Sequence, residues 1–74
     1  MEERVFAQFQ SSIDLDQDID RAQLIYGDYP GWDSVGHMTL IAALETEFDC
    51  MLEMDDILDM SSFSKAVEIM KKYA

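Results

Sequence analysis

The chain is short of cations, cysteine and histidine, and each shortage weighs against a class of function. Five Lys and Arg stand against sixteen Asp and Glu, for a net charge of −11 at pH 7. Binding to phosphate backbones needs basic patches, so nucleic acid is disfavoured as a partner. An anionic membrane surface is disfavoured for the same reason. Cys50 is the only cysteine. No internal disulfide and no multi-cysteine metal site can form, which fits a reducing, cytoplasmic setting. No apolar run approaches membrane-spanning length, so membrane insertion is not expected. "MEERVFAQF" carries acids where the basic region of a secretory leader would stand, so no leader is expected.

What is present is a single acidic domain over residues 1–74. A chain of this size buries only about 60% of the surface its unfolded form exposes. That makes a small core rather than a deep, dry cleft, which weighs against a self-sufficient enzyme. The acidic field attracts proteins with basic docking surfaces and speeds encounter with them. It also makes copies of the domain repel one another, so a monomer is expected.

Hydrophobic spacing predicts helices and no strands. Val5, Phe6, Phe9 and Ile13 make one apolar stripe, with Glu2 and Glu3 at the positive end of the helix dipole. "DLDQDID" is too acidic and too poorly periodic for a helix. Asp14, Asp16 and Asp18 match the first ligands of an EF-hand loop, but Ile19 stands where its glycine belongs and Ile25 where its glutamate belongs. A solvated acidic loop is the better reading, with Leu24, Ile25 and Tyr26 tucked inward to pin it. "YPG" (Tyr29 to Gly31) is a turn signal. The strongest helix runs over 34–48, with Val35, Met38, Ile41, Leu44 and Phe48 as its expected apolar stripe. A short helix is predicted around "EMDDILDM". A last one follows the capping serines of "SSFSKAVEIMKKY", with Lys71 and Lys72 at its negative end. The expected fold is all-α: a small four-helix bundle of three main helices and one short third helix, with a long loop between helices 1 and 2.

Within "GWDSVGHMTLIAALETEF", Ser34 has three readings. It can cap the helix, as can Asp33, a role worth ~1 kcal/mol. It can be a nucleophile, with His37 one turn away. That chemistry needs a base, an orienting group and an oxyanion hole, and neither the "G-x-S-x-G" elbow nor its sheet is present. A lone histidine on a partly apolar helix reads as structural, and a lone Cys50 as a half-buried inert thiol rather than an enzyme's nucleophile. Third, Ser34 can be an attachment point. A helix N-terminus stabilises an anion through its dipole and free amides, so a phosphate linked to a serine there is well placed.

The same stretch resembles the phosphopantetheine attachment region of acyl carrier proteins. Asp33, Ser34, Val35, Leu44, Glu45, Glu47 and Phe48 match the family's pattern of an Asp-Ser pair, an apolar residue and a helix ending in "LE-x-E-F". The resemblance extends over the whole chain in length, acidity, helix order and the position of the serine. It implies that Ser34 receives 4′-phosphopantetheine from coenzyme A through a separate phosphopantetheinyl transferase. The arm's thiol, not Cys50, would carry acyl groups as thioesters. The chain would then be a carrier rather than an enzyme, loaded by an acyl ligase or transferase and docking on acyl-processing enzymes with basic surfaces. Trp32, Gly36, His37 and Thr39 depart from the "GADSLD" pattern of fatty-acid-synthesis carriers. "PGWDSVGHM" looks more like free-standing carriers of specialised bacterial pathways, such as polysaccharide decoration or secondary metabolism. Trp32 either covers the core beneath the turn or touches a partner. Gly36 either bares the surface beside Ser34 or is a tolerated weak position. An aminoacyl or peptidyl carrier with the same attachment, and an acidic helical interaction module with Ser34 only a cap, are the alternatives.

Overall fold

The computed structural model describes residues 1–16 and 18–74. Among these are four α-helices: α1 (Glu2–Ser12), α2 (Ser34–Phe48), α3 (Met54–Asp59) and α4 (Phe63–Lys71), with one 3-10 turn, Arg21–Gln23, between α1 and α2. No strand occurs among the described residues, and the fold is all-α. The one strand-like feature is an isolated antiparallel bridge between Ile25 and Ser62. No described helix is long and apolar enough to cross a membrane.

The core is assembled from aromatic residues far apart in sequence. Phe9 of α1 meets Trp32 edge-to-face at 4.9 Å and Phe63 of α4 at 5.3 Å. Phe6 meets Phe63 at 5.7 Å, also edge-on. Such pairs contribute about 0.5–1.5 kcal/mol each beyond the burial of their area. Val5, Ile13, Leu24, Leu40, Leu44 and Met70 fill the space around them. On α1, Val5 and Phe9 of the expected stripe are buried against this core, and α4 buries Phe63, Ala66, Ile69 and Met70.

Two cations brace the first helix. Arg21 donates to Glu3 at 2.7 Å and to Glu2 at 3.4 Å, and its guanidinium lies 3.9 Å from the centre of the Phe6 ring. The Arg21 partnership holds the Glu3 carboxyl below the usual carboxylate range. Arg4 pairs with Glu47 at 3.0 Å and covers the Phe48 ring at 4.2 Å, joining α1 to the end of α2.

Two expectations about facing side chains are corrected. The inward stripe of α2 is His37, Leu40, Ile41 and Leu44, not Val35 and Met38. Val35 is 75% exposed and Met38 58%. Phe48 is half-buried at the end of the same stripe. In the long connection Leu24 is fully buried, but Ile25 and Tyr26 are exposed. The backbone explains this. Phe63 donates to the Leu24 carbonyl at 3.0 Å and Tyr26 donates to the Ser61 carbonyl at 2.9 Å. The segment therefore runs extended beside the start of α4, which sends Ile25 to the face opposite Leu24, and the chain enters a turn at Tyr26, which breaks the alternation before that side chain can return to the core.

Candidate functional site

The site is built on the turn that feeds α2. Gly27 donates to the Trp32 carbonyl at 2.9 Å and Trp32 donates to the Tyr29 carbonyl at 3.1 Å, closing residues 27–32 into a tight loop. Gly31 holds a φ of 93°, a left-handed value that glycine adopts without steric penalty. Asp33 then caps the helix: its Oδ1 accepts from the Gly36 amide at 2.9 Å. Ser34 follows as the first helical residue and is exposed. The cap is thus Asp33, and Ser34 is not the residue that satisfies the first turn.

Gly36 is required by close packing. A Cβ at this position would stand 2.2 Å from the Gly31 carbonyl oxygen. The reading of Gly36 as a bare surface for a partner is corrected: its missing side chain makes room for the turn that presents Ser34.

Trp32 is fully buried, so it anchors the turn from beneath and is not a surface contact. Its Nε1–H donates to His37 Nδ1 at 2.9 Å. Indole can only donate, so Nδ1 must be the unprotonated nitrogen. Nε2 therefore carries the proton and donates to the Ile57 carbonyl of α3 at 2.8 Å. Both ring nitrogens are engaged, and neither is placed to take a proton from Ser34. Tyr26 packs edge-on against the His37 ring at 5.0 Å. His37 thus links the turn, α2 and α3.

Beside Ser34 lies an apolar groove of about 290 Å³ between α2 and α3, lined by Met38, Met54, Ile57, Leu58 and Met60, with Tyr26 and His37 completing the wall. Met54 is 67% exposed and Leu58 75%. α3 itself buries one residue, Asp56. Asp56 accepts from Lys72 Nζ at 2.6 Å and from the Tyr73 hydroxyl. These hydrogen bonds, Lys72 first, hold the Asp56 carboxyl below its ordinary range and push Lys72 above its own. Two polar ties therefore hold α3: His37 to the Ile57 carbonyl, and Asp56 to the C-terminus.

The two carboxylates of the motif lie away from the serine. Glu45 Oε2 accepts from the Leu52 amide at 2.9 Å and so fastens the chain that leaves α2. Glu47 is the partner of Arg4. At 1.5 Å per residue these carboxylates stand roughly 16–20 Å along α2 from Ser34. Cys50 is half-buried, and burial, followed by the charges of Glu45 and Asp49, pushes its thiol up. It is consequently a poor nucleophile. No group of three His, Cys, Asp or Glu able to hold a metal occurs among the described residues.

The exposed pair Met54 and Leu58 and the buried Asp56 escaped the sequence reading. The signal lay in the spacing: Met54 and Leu58 are four apart on one face of a helix too short to bury two faces. Asp56 is on the other side, where donors from elsewhere in the chain, Lys72 and Tyr73, satisfy it. Comparison of the chain with protein-family models, with curated proteins and with solved structures finds no match in any of the three.

Proposed function

We propose that the protein is a carrier whose Ser34 is the attachment point for 4′-phosphopantetheine. The observation that supports this reading is the separation of capping from attachment. Asp33 satisfies the first turn of α2, which leaves the exposed Ser34 hydroxyl at the positive end of a 15-residue helix. An anion is favoured there by the dipole and by the amides of the first turn. The residues present suit such a group: an exposed hydroxyl, a helix N-terminus and an apolar groove next to it. When attached, the arm supplies a thiol that carries an acyl group as a thioester. This chain's own part is to present the serine on a turn locked by Trp32 and Gly31, and to offer a surface to partner enzymes.

The further details of this reading are a four-helix bundle, a cytoplasmic setting, a transferase that loads the arm from coenzyme A, and acyl-processing partners with basic surfaces. Tethering then raises the effective concentration of the cargo at the enzyme on which the carrier docks. The test is the intact mass after incubation with coenzyme A and a promiscuous phosphopantetheinyl transferase. One added phosphopantetheine unit, mapped by peptide sequencing to Ser34, is expected. An unchanged mass with several such transferases overturns the proposal.

A further inference from the structure

Two ionisable side chains are buried among the described residues, Asp56 and His37. Asp56 has a cation beside it, and His37 has no countercharge. Its ring meets the Trp32 indole N–H at Nδ1, the Ile57 carbonyl at Nε2 and the edge of the Tyr26 ring at 5.0 Å. The charged groups of the surrounding elements are engaged elsewhere or exposed. On the turn, Asp28 is exposed and Asp33 accepts from the Gly36 amide. On α3, Asp55 and Asp59 are exposed, and Asp56 is held by Lys72 and Tyr73. The inward face of α2 continues from His37 as Leu40, Ile41 and Leu44. The link to α4 contributes Met60 and Ser61 to the same groove wall. No ion pair among the described residues includes the imidazole.

We propose that His37 is a proton-operated latch: its neutral ring ties α3 to α2 and to the turn before Ser34, and protonation releases α3. Nε2 already carries a proton, so a second can enter only at Nδ1. There it meets the Trp32 N–H, and two donors face each other with no acceptor between them. The new charge is also buried with no carboxylate against it, which is costly. Trp32 cannot yield, because it is fully buried against Phe9 at 4.9 Å. The charged ring therefore moves out into the groove that it already lines, and the Ile57 carbonyl loses its donor. Asp56, the one residue that α3 buries, is then the remaining polar tie of that helix. An element with so little burial opens locally, while α1 and α4 stay packed through Phe9 and Phe63. Histidine changes its charge between about pH 5 and 8, so mild acid is the signal. The groove wall beside Ser34 is fixed at neutral pH and freed in acid.

The latch does not need Ser34 to be loaded, and Ser34→Ala should respond as the parent does. The test is an NMR titration of the full chain from about pH 7.5 to about pH 5, following the ring nitrogens, the Trp32 indole N–H and amide exchange. The ring should start as the Nε2–H tautomer. As it protonates, the indole signal should shift and lose protection. Corrected for intrinsic rates, α3 amides should exchange about tenfold faster, the effect of losing one hydrogen bond, while α1 amides keep their protection. The fold accepts only the neutral ring and the unfolded chain takes the proton freely, so melting temperature should fall as pH drops through this window. His37→Gln offers an acceptor and a donor on one planar group and cannot become charged, so it should show neither change. If that variant does not fold, the parent's ring, indole and amide signals carry the test. A ring that stays neutral down to about pH 5 would overturn the proposal. So would a protonated ring with the indole signal and α3 protection unchanged. The same acid step in His37→Gln would assign it to carboxylates, and its disappearance in Ser34→Ala to the serine hydroxyl. Joint loss of α1 and α3 protection would mean global unfolding. Each of these results overturns the latch, and none bears on whether Ser34 accepts an arm.

Discussion

The Trp32 indole donates to His37 Nδ1 at 2.9 Å inside the core, and the same imidazole reaches the α3 backbone through its other nitrogen. A single side chain therefore satisfies a buried partner and a half-buried one on different elements. His37→Leu keeps the apolar volume but orphans the Trp32 N–H and the Ile57 carbonyl. Each orphaned group costs about 1–3 kcal/mol. Chemical denaturation should show a loss of about 2–6 kcal/mol for the two groups together, and α3 amides should exchange with solvent faster than those of α1. Where the variant is still folded it should accept the phosphopantetheine arm, since the transferase supplies the catalytic groups. A folded His37→Leu that no transferase modifies would show that His37 has a part in attachment.

Capping and attachment separate by mutation at adjacent positions. Asp33→Ala removes the acceptor for the Gly36 amide and should cost ~1 kcal/mol. Ser34→Ala touches no cap and should stay within about 0.5 kcal/mol of the parent. Only Ser34→Ala should abolish labelling. Equal destabilisation by the two changes would return the cap to Ser34, and continued labelling of Ser34→Ala at Ser11, Ser12, Ser61, Ser62 or Ser64 would remove the carrier reading.

How the residues divide between legible and hidden follows from the range of the interactions. α2 spans Ser34–Phe48, the span that its periodicity and cap predict. Caps, turns and stripes are local, so Asp33 and "YPG" can be read along the chain. The face of α2 is not local. Counting histidine as polar turns Val35 and Met38 inward, whereas the buried indole of Trp32 supplies His37 with a donor and draws that ring into the core. Asp56 is likewise read as a wet residue until Lys72 and Tyr73 arrive from the C-terminus. The groove exists only once α3 is set beside α2, which no spacing in the sequence specifies.

Alanine at Gly36 tests the tight turn. In an open helix, Gly→Ala stabilises by about 0.8–1 kcal/mol. Here the added methyl meets the Gly31 carbonyl at 2.2 Å, and backbone cannot swing aside as a flexible side chain can. Gly36→Ala should therefore destabilise, by about 1–3 kcal/mol as for other overpacked sites. Urea melts of the parent and variant decide the sign. A stabilised Gly36→Ala would mean that the turn before Ser34 yields readily.

The Asp56 cluster should set the pH limits of α3. The folded-state pKa of Asp56 is lowered, chiefly by Lys72 and then by Tyr73. Its contribution is therefore present above the unfolded carboxylate pKa of about 4 and is lost as pH falls through the lower folded value. Lys72 and Tyr73 are both raised, through their hydrogen bonds to Asp56. Their contribution is present below the unfolded values of about 10 and is lost as pH climbs through the folded ones. The part of the melting temperature that this cluster sets should be flat between these limits and fall on either side. Asp56→Asn should lower the plateau and flatten both flanks. If its flanks parallel those of the parent, other groups govern the pH response.

Salt should stabilise the protein. The net charge is −11, and Asp14, Asp16, Asp18 and Asp20 crowd one loop. The ion pairs among the described residues join Glu2, Glu3, Glu47, Asp56 and Glu68 to cations and leave that loop out. Its repulsion is consequently unrelieved by local pairing, and it weighs against a domain stability of only about 5–15 kcal/mol. The Debye length falls to ~10 Å at about 0.1 M salt, so exposed repulsion is screened over the dimensions of the loop. Melting temperature should rise with sodium chloride, and rise at lower concentration with calcium chloride through loose association with the acidic clusters. Partner docking should respond in the opposite sense, because attraction to a basic face is screened by the same ions. A melting series in both salts, with a calcium titration by calorimetry, separates the cases. A flat response would mean that the acidic loop is already neutralised within the fold. A tight, saturable one-to-one calcium site would mean that Asp14, Asp16 and Asp18 bind the ion specifically, despite the isoleucines that stand where an EF-hand requires glycine and glutamate.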